Sequence, residues 1–319
     1  MLRRQNTRAA ARNDIYELRI MKILVKVPAT SANLGPGFDS LGLALDLWNE
    51  TVVTLAIEFS VRVKGEGEGK LAMGEKNLIV RAAQRLAERA GRSLPTFHAD
   101  SVNQIPLSSG LGSSAAATLT GLLAGNALLG NPFLREEILV IASEMEGHPD
   151  NVAPALMGGL VVSTMENDKV IARQIPIVTA AAVTIVLPDF HLPTKEARAA
   201  LPENVSMKDA VHNISRAVLV TEAFRNGDMD LLGKAMTDTL HQPYRLPLIP
   251  GAQSAMEAAK EAGADAVALS GAGPSLIAFS SKAEAGIGES MKRAFEAAGL
   301  TARIFNLGVS SRGAEIQIL

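Results

Sequence analysis

The stretch Gln104-Ile-Pro-Leu-Ser-Ser-Gly-Leu-Gly-Ser-Ser-Ala-Ala116 decides how this chain is read. A Gly/Ser loop that opens a helix gathers unpaired backbone N–H groups and the positive end of the helix dipole at one point, which suits a phosphate. Gly110 and Gly112 let the backbone approach closely, while Ser113 and Ser114 offer hydroxyls to cap the helix or to hold a metal. It is not a Walker A loop, having no Gly-Lys-Ser/Thr, and it lacks the third glycine of a dinucleotide fingerprint. On its residues alone, an ordinary strand-to-helix turn with a serine cap stays equally open.

Working outward, residues 96–104 read as a strand leading into the loop, and 114–129 as an Ala/Leu-rich helix ended by Gly130. The run 101–134 carries no charge and is long enough to span a bilayer, yet its prolines, glycines and hydroxyls make it a loop followed by a buried helix. Upstream lie a strand at 22–27, a turn-rich loop at 28–37, extended segments at 41–47, 49–59 and 61–64, and a helix at 77–90. A helix at 134–145 is broken by Gly147-His-Pro-Asp-Asn151, and Leu160 begins another strand. After about residue 170 the pattern restarts, with strands at 178–187, 266–269, 276–279 and 302–307, and helices at 206–225, 229–240, 253–262 and 283–298. No long parallel β-α-β array is present, so the expected class is α+β, antiparallel sheets backed by helices. At 319 residues the chain is about twice a typical domain, and the expected division is an extension over 1–20, a first domain over 21–168 and a second over 169–319.

Composition removes several functions. Lys plus Arg number 31 against 33 Asp plus Glu, a net charge of -2, so there is no basic field for nucleic acid or an anionic membrane. Aromatic residues make up only 4%, too few for base-stacking platforms. Cysteine is absent, which excludes disulfides, thiolate metal sites and a Cys nucleophile, and fits a reducing compartment such as the cytoplasm. Residues 1–20 hold five Arg beside Asp14 and Glu17 with no apolar core, which excludes a secretory signal; a disordered extension is expected.

Two further clusters carry polar chemistry. Gly147-His-Pro-Asp-Asn151, with Glu144 and Glu146 before it, interrupts an apolar neighbourhood, and carboxylates near a phosphate loop can hold Mg²⁺ through oxygen; a plain polar helix connection has the same composition. Leu269-Ser-Gly-Ala-Gly-Pro-Ser275 is a strand end and glycine turn, weak by itself. Arg198 and Arg245 sit in Pro-containing segments where most cations are simply solvated.

Taken together and in order, Thr30-Ser-Ala-Asn-Leu-Gly-Pro-Gly-Phe-Asp39, Pro106-Leu-Ser-Ser-Gly-Leu-Gly-Ser-Ser-Ala115 and Ser270-Gly-Ala-Gly-Pro-Ser275 resemble the three-motif signature of the GHMP small-molecule kinases. His148-Pro-Asp-Asn-Val-Ala-Pro154 and His241-Gln-Pro-Tyr-Arg245 make the likeness closest to the homoserine kinase family. The resemblance runs from about Met21 to the C-terminus. It implies a two-domain fold, an N-terminal β-α nucleotide-binding domain and a C-terminal ferredoxin-like α/β sandwich, and ATP-dependent phosphorylation of L-homoserine with Mg²⁺ in threonine biosynthesis. Another GHMP kinase, or a silent metabolite sensor on the same fold, is the alternative. A homodimer is common among such relatives.

By that resemblance Pro106, Leu107, Ser108, Ser109, Gly110, Leu111, Gly112, Ser113 and Ser114 wrap the ATP phosphates and Asn77 lies near the adenine. Ser114 and Glu144 hold the metal, with Glu146 as the other candidate. Asn33, Asp39, His148, Asn151, Thr194, Arg198, Arg245 and Gly271 surround homoserine, Asp39 pairing with its ammonium and Arg198 with Arg245 binding its carboxylate. Asn151 orients the hydroxyl where other GHMP kinases place an Asp base, so the expected catalytic set is Asn151, Ser114 and Glu144, with direct attack by the hydroxyl; Asp150 is the alternative as a base.

Overall fold

Alternation in Lys22-Ile-Leu-Val-Lys-Val27 turns Ile23, Val25 and Val27 to one face, where all three are fully buried. They begin β1 (Lys22–Ala32), which pairs antiparallel with β2 (Leu41–Leu55). The computed structural model describes residues 22–178, 181–282 and 285–319; the expected extension over 1–20, and residues 179–180 and 283–284 of two expected elements, lie outside the described residues. The loop expected from Pro28 starts later, at Asn33. A register shift between Pro28 and Ala29 absorbs the proline, and the strand runs on to Ala32.

β3 (Ser60–Gly65), α1 (Leu78–Ala90), β4 (Phe97–Asn103), α2 (Ser113–Leu128), α3 (Arg135–Glu146), α4 (Val152–Met157), β5 (Leu160–Glu166) and β6 (Lys169–Ile175) follow. Helix α1 is amphipathic, burying Ile79, Val80, Ala82, Ala83, Leu86 and Ala87; Leu86→Ala on that stripe would cost about 2–5 kcal/mol. Helix α2 is buried along most of its length, as its charge-free sequence demands. No helix among the described residues is long and apolar enough to cross a membrane.

The second half contains β7 (Ala182–Pro188), α5 (Thr194–Ala199), α6 (Met207–Asn226), α7 (Met229–Ala235), α8 (Gln242–Arg245), a 3₁₀ turn (Leu246–Leu248), α9 (Ala252–Glu261), β8 (Ala266–Leu269), β9 (Leu276–Ser280), α10 (Ala285–Ala297), β10 (Ala302–Leu307) and β11 (Glu315–Ile318). Its sheet is antiparallel in the order β10-β7-β9-β8. Two interleaved β-α-β units produce that order, the ferredoxin-like arrangement. The fold is α+β.

The first sheet does not stop at residue 168. Its path is β11-β1-β2-β4-β3, with β5 on the start of β2 and β6 on β5. The expected boundary of 168/169 therefore cuts the β5–β6 hairpin, and the last strand of the chain returns to pair with β1, Ile23 opposite Ile318. One hydrophobic cluster also joins the halves, from Val25 and Leu119 to Val220, Phe224 and Phe279, while a second fills the far side around Ile249, Leu269, Met291 and Phe295. This shared packing fixes the two halves against each other at the three glycine-rich segments.

Candidate active site

Backbone hydrogen bonds tie those segments together. Thr30 N–H donates to Leu111 O (3.1 Å), Gly271 N–H to Ala32 O (3.1 Å) and Ser275 N–H to Ser109 O (3.3 Å). The Ser270 hydroxyl donates to Gly110 O (2.9 Å), and Asn33 Nδ2 donates to Gly271 O (2.8 Å) while its Oδ1 accepts from Asp39 N–H (3.0 Å). Gly110 has φ +81°, and a Cβ there would lie 2.2 Å from Ser270 O. Gly112, at φ +71°, caps α2 with no side chain, and a Cβ would meet Thr30 Oγ1 at 2.1 Å. The first-turn amides of α2 are thus left uncapped at the loop, an anion-binding end.

The loop opens into a cavity of about 780 Å³ lined by Ser108, Ser109, Gly110, Gly112, Ser113 and Ser114 at one end, and by Asn33, Asp39, His148, Asn151, Thr194, Arg198, Arg245 and Gly271 at the other. All eight residues expected around the acceptor line this single space. Asn77 and Leu107 line an adjoining cavity of about 340 Å³ with Val63, Leu71 and Ala72 that shares Ser108, Ser113 and Ser114. Asn77 spends its side chain on structure, capping α1 through Ile79 N–H (2.9 Å) and donating to Ala72 O (2.7 Å). Pro106 and Leu111 are buried behind the loop and line neither cavity.

The acceptor end is charged on both signs. Arg198 reaches Asp39 with two bonds, Nη2 to Oδ1 at 2.8 Å and Nη1 to Oδ2 at 3.0 Å. That bond raises the Arg198 pKa further, against the effect of burial. Arg245 is 1% exposed. Its hydrogen-bond partners among the described residues are Ala197 O (3.2 Å), Gly271 O (3.5 Å) and Nδ1 of His241 (3.4 Å), and none carries a charge. Burial first, then Arg198, lowers its pKa from the ordinary arginine value, which leaves it a cation in want of an anion.

Asp150 is buried beneath the cavity, and its carboxylate bonds Nδ1 of His148. Burial alone would lower the His148 pKa, but the bond and charge of Asp150 outweigh it and the pKa rises. The same carboxylate oxygen takes Asn151 Nδ2 at 3.3 Å. A carboxylate only accepts, so the Asn151 nitrogen faces it, and the Asn151 oxygen faces the Thr30 hydroxyl, which donates at 2.8 Å. Asn151 can therefore orient a hydroxyl but not take its proton.

The two candidates for the metal, Glu144 and Glu146, have different surroundings. Glu144, the expected ligand, bonds Arg89 (3.4 Å) and pairs with Arg85 (3.5 Å) away from Ser114. Glu146 instead accepts the hydroxyls of Ser114 (2.7 Å) and Thr118 (2.8 Å) and lines the cavity. Residues two apart on a helix point in nearly opposite directions, so only one of the pair can face α2. The carboxylate and hydroxyl oxygens of Glu146, Ser114 and Thr118 are a donor set that suits Mg²⁺.

Several participants escaped the sequence reading. Arg81 and Arg85 line the phosphate end of the cavity; both follow Asn77 at four-residue steps, which puts them on one line of α1. Thr30 has no expected task in its motif, and Asp150 is expected as the alternative base rather than as the partner of His148.

Comparison with known proteins places the chain in a family. The family descriptions "GHMP kinases N terminal domain" and "GHMP kinases C terminal" match residues 77–159 and 220–297. A homoserine kinase of Moorella thermoacetica is 43% identical over 293 residues, covering 92% of this chain and 99% of the relative. One of Deinococcus radiodurans is 46% identical over 257 residues, 80% of this chain and 83% of the relative. The crystal structure of homoserine kinase from Cytophaga hutchinsonii superposes with a TM-score of 0.82 at 34% identity, covering 93% of this chain and 97% of that one. The chain belongs to the GHMP kinases, and within them to the homoserine kinase family.

Proposed function

We propose that this GHMP kinase transfers the γ-phosphoryl group of ATP to the side-chain hydroxyl of L-homoserine, giving O-phospho-L-homoserine for threonine biosynthesis. One observation carries the reading: a single cavity joins the uncapped start of α2 to a pocket where Asp39 and Arg198 pair with each other near the buried cation Arg245. A zwitterion with one free hydroxyl matches that arrangement of charge.

In this reading Asp39 takes the ammonium, and Arg245, Arg198 and His148 take the carboxylate. The amide of Asn151, locked by Thr30 and Asp150, donates to the hydroxyl oxygen and aims it along the line of attack. The new bond joins that oxygen to the γ-phosphorus as the bond to the bridging β,γ-oxygen breaks. The hydroxyl proton leaves late, to the transferred phosphate or to water. Phosphoryl transfer has a loose transition state, so positioning and charge carry most of the catalysis and no base is assigned. The loop amides, Ser113 and Arg81 face the phosphates. Glu146, with Ser114 and Thr118, would hold Mg²⁺, which when bound neutralises charge on the β- and γ-oxygens. Asn77 and the apolar wall beside it would receive the adenine. A homodimer in the cytoplasm completes the proposal, the first by likeness to the family and the second from the cysteine-free composition.

The test is product identity. Incubation with ATP, Mg²⁺ and L-homoserine should release ADP in step with a phosphate monoester on the homoserine side-chain oxygen, visible by ³¹P NMR. ADP without that ester would refute the assignment.

A further inference from the structure

Arg245 is held by a buried histidine to which the phosphoryl-transfer scheme gives no task. His241 is fully buried. Its Nε2 lies 2.8 Å from Gly35 O, which can only accept, so Nε2 carries the ring proton. Burial lowers the pKa of the ring, against the opposing pull of Asp238 and of the Gly35 carbonyl, and the ring is neutral. Nδ1 therefore presents a lone pair, and Nη1 of Arg245 lies 3.4 Å from it.

The ring is fixed on its remaining sides. Phe38 stacks on it at 5.3 Å and 24°, and the same Phe38 ring lies 5.2 Å from the Arg245 guanidinium and 5.8 Å from that of Arg198. The His241 backbone is clamped by Asp238, whose carboxylate accepts the N–H groups of Leu240 (3.0 Å), His241 (2.9 Å) and Gln242 (2.6 Å) and the Asn213 side-chain amide (2.7 Å). Gln242 Oε1 accepts Leu269 N–H at 2.7 Å, pinning the segment to the end of β8.

We propose that His241 is a positioning residue for acceptor recognition: one nitrogen anchors on the Gly35 turn between Asn33 and Asp39, the other holds Arg245, and one ring thereby sets the spacing of the two charged poles. The proposal rests on the homoserine reading of the cavity. A residue needed only to fill this space would be as well served by an apolar ring, and that contrast makes it testable.

In His241→Phe the stacking on Phe38 is retained and both hydrogen bonds are lost. The homoserine KM should rise about 10- to 100-fold, the scale of one hydrogen bond to a charged group. The ATP KM and kcat should stay within about threefold of native, and the preference for homoserine over its methyl ester should fall. Two further variants keep the proposal testable if the Phe form does not fold. His241→Asn places an acceptor near Nδ1 and should keep more of the acid preference than His241→Gln, which reaches only towards Gly35. An unchanged homoserine KM in His241→Phe, equal losses in both KM values and kcat, or equal behaviour of Asn and Gln would overturn the proposal. A native enzyme that does not phosphorylate homoserine would instead overturn the reading beneath it.

Discussion

Asp39 and Arg198 close on each other across the two halves of the chain, joined by bonds of 2.8 and 3.0 Å, in the place where an amino-acid substrate has to lie. From sequence the two residues divide between opposite ends of the substrate; in the structure they satisfy each other. Both are about one-third exposed, and a pair so exposed contributes only about 0–1 kcal/mol. A zwitterion can therefore part them at little cost, its ammonium replacing Arg198 at Asp39 and its carboxylate replacing Asp39 at Arg198. Asp39→Asn should lower kcat/KM for homoserine roughly 10- to 100-fold. It should also shrink the preference for homoserine over 4-hydroxybutanoate, which has no ammonium. An unchanged ratio between these two alcohols would remove Asp39 from the site.

Arg245 makes the stronger demand, because it is buried and hydrogen-bonds no carboxylate among the described residues. Removing one partner of a desolvated charge pair costs about 2–5 kcal/mol, so Arg245→Leu should lower kcat/KM for homoserine roughly 30- to 5,000-fold. The gap between homoserine and its methyl ester should narrow while the ATP KM holds. An acid-to-ester ratio equal to native would assign the carboxylate to another partner.

Glu146→Ala should reduce kcat more than either KM, since in the proposed scheme it removes a carboxylate that would hold Mg²⁺ for the transferring phosphoryl group. Glu144→Ala, which loses only contacts to Arg85 and Arg89, should remain within a few-fold of native. Steady-state kinetics across Mg²⁺ concentrations separates the two. An inactive Glu144→Ala beside an active Glu146→Ala would restore the assignment made from sequence.

His148 has a raised pKa, so its charge persists below that value and disappears as pH climbs through it. The homoserine KM should accordingly be flat at lower pH and rise on the alkaline side. Asp150→Asn removes the two largest influences that raise the pKa and leaves only the charge of Asp39 against burial and Arg198, which lower it, so the rise should begin at lower pH. At pH values below both transitions kcat should fall less than about tenfold, short of the 10²–10⁴-fold typical of removing a general base. A larger loss of kcat in the folded variant would give Asp150 the proton.

Part of this site could be read from local chemistry: Gly110 and Gly112 stand in a segment whose residue types suit a tight turn and a bound anion. Asn33, Asp39, Arg198 and Arg245 are legible only through the family resemblance, since their segments alone suit solvated side chains as well. The choice between Glu144 and Glu146 was legible too, in helix phase: Glu146 continues the line of buried Ile138 and Ala142 in four-residue steps, and Glu144 follows half-exposed Val140. What the sequence could not disclose depends on distant partners. Glu315–Ile318 is a strand because β1 offers it a free edge, and Lys169–Ile175 belongs to the first sheet because β5 folds back onto it. The mutual pairing of Asp39 and Arg198, 159 residues apart, exists only once the shared core has set the halves against each other.

In the proposed function this cavity selects a zwitterionic amino-acid alcohol as the phosphoryl acceptor. The most direct test is ATP turnover measured at matched concentrations of L-homoserine, mevalonate, galactose, shikimate and no acceptor. L-Homoserine should give the highest kcat/KM by a wide margin, with negligible ADP release when no alcohol is added. Preference for any of the other three, or equal ADP release without an acceptor, would contradict it.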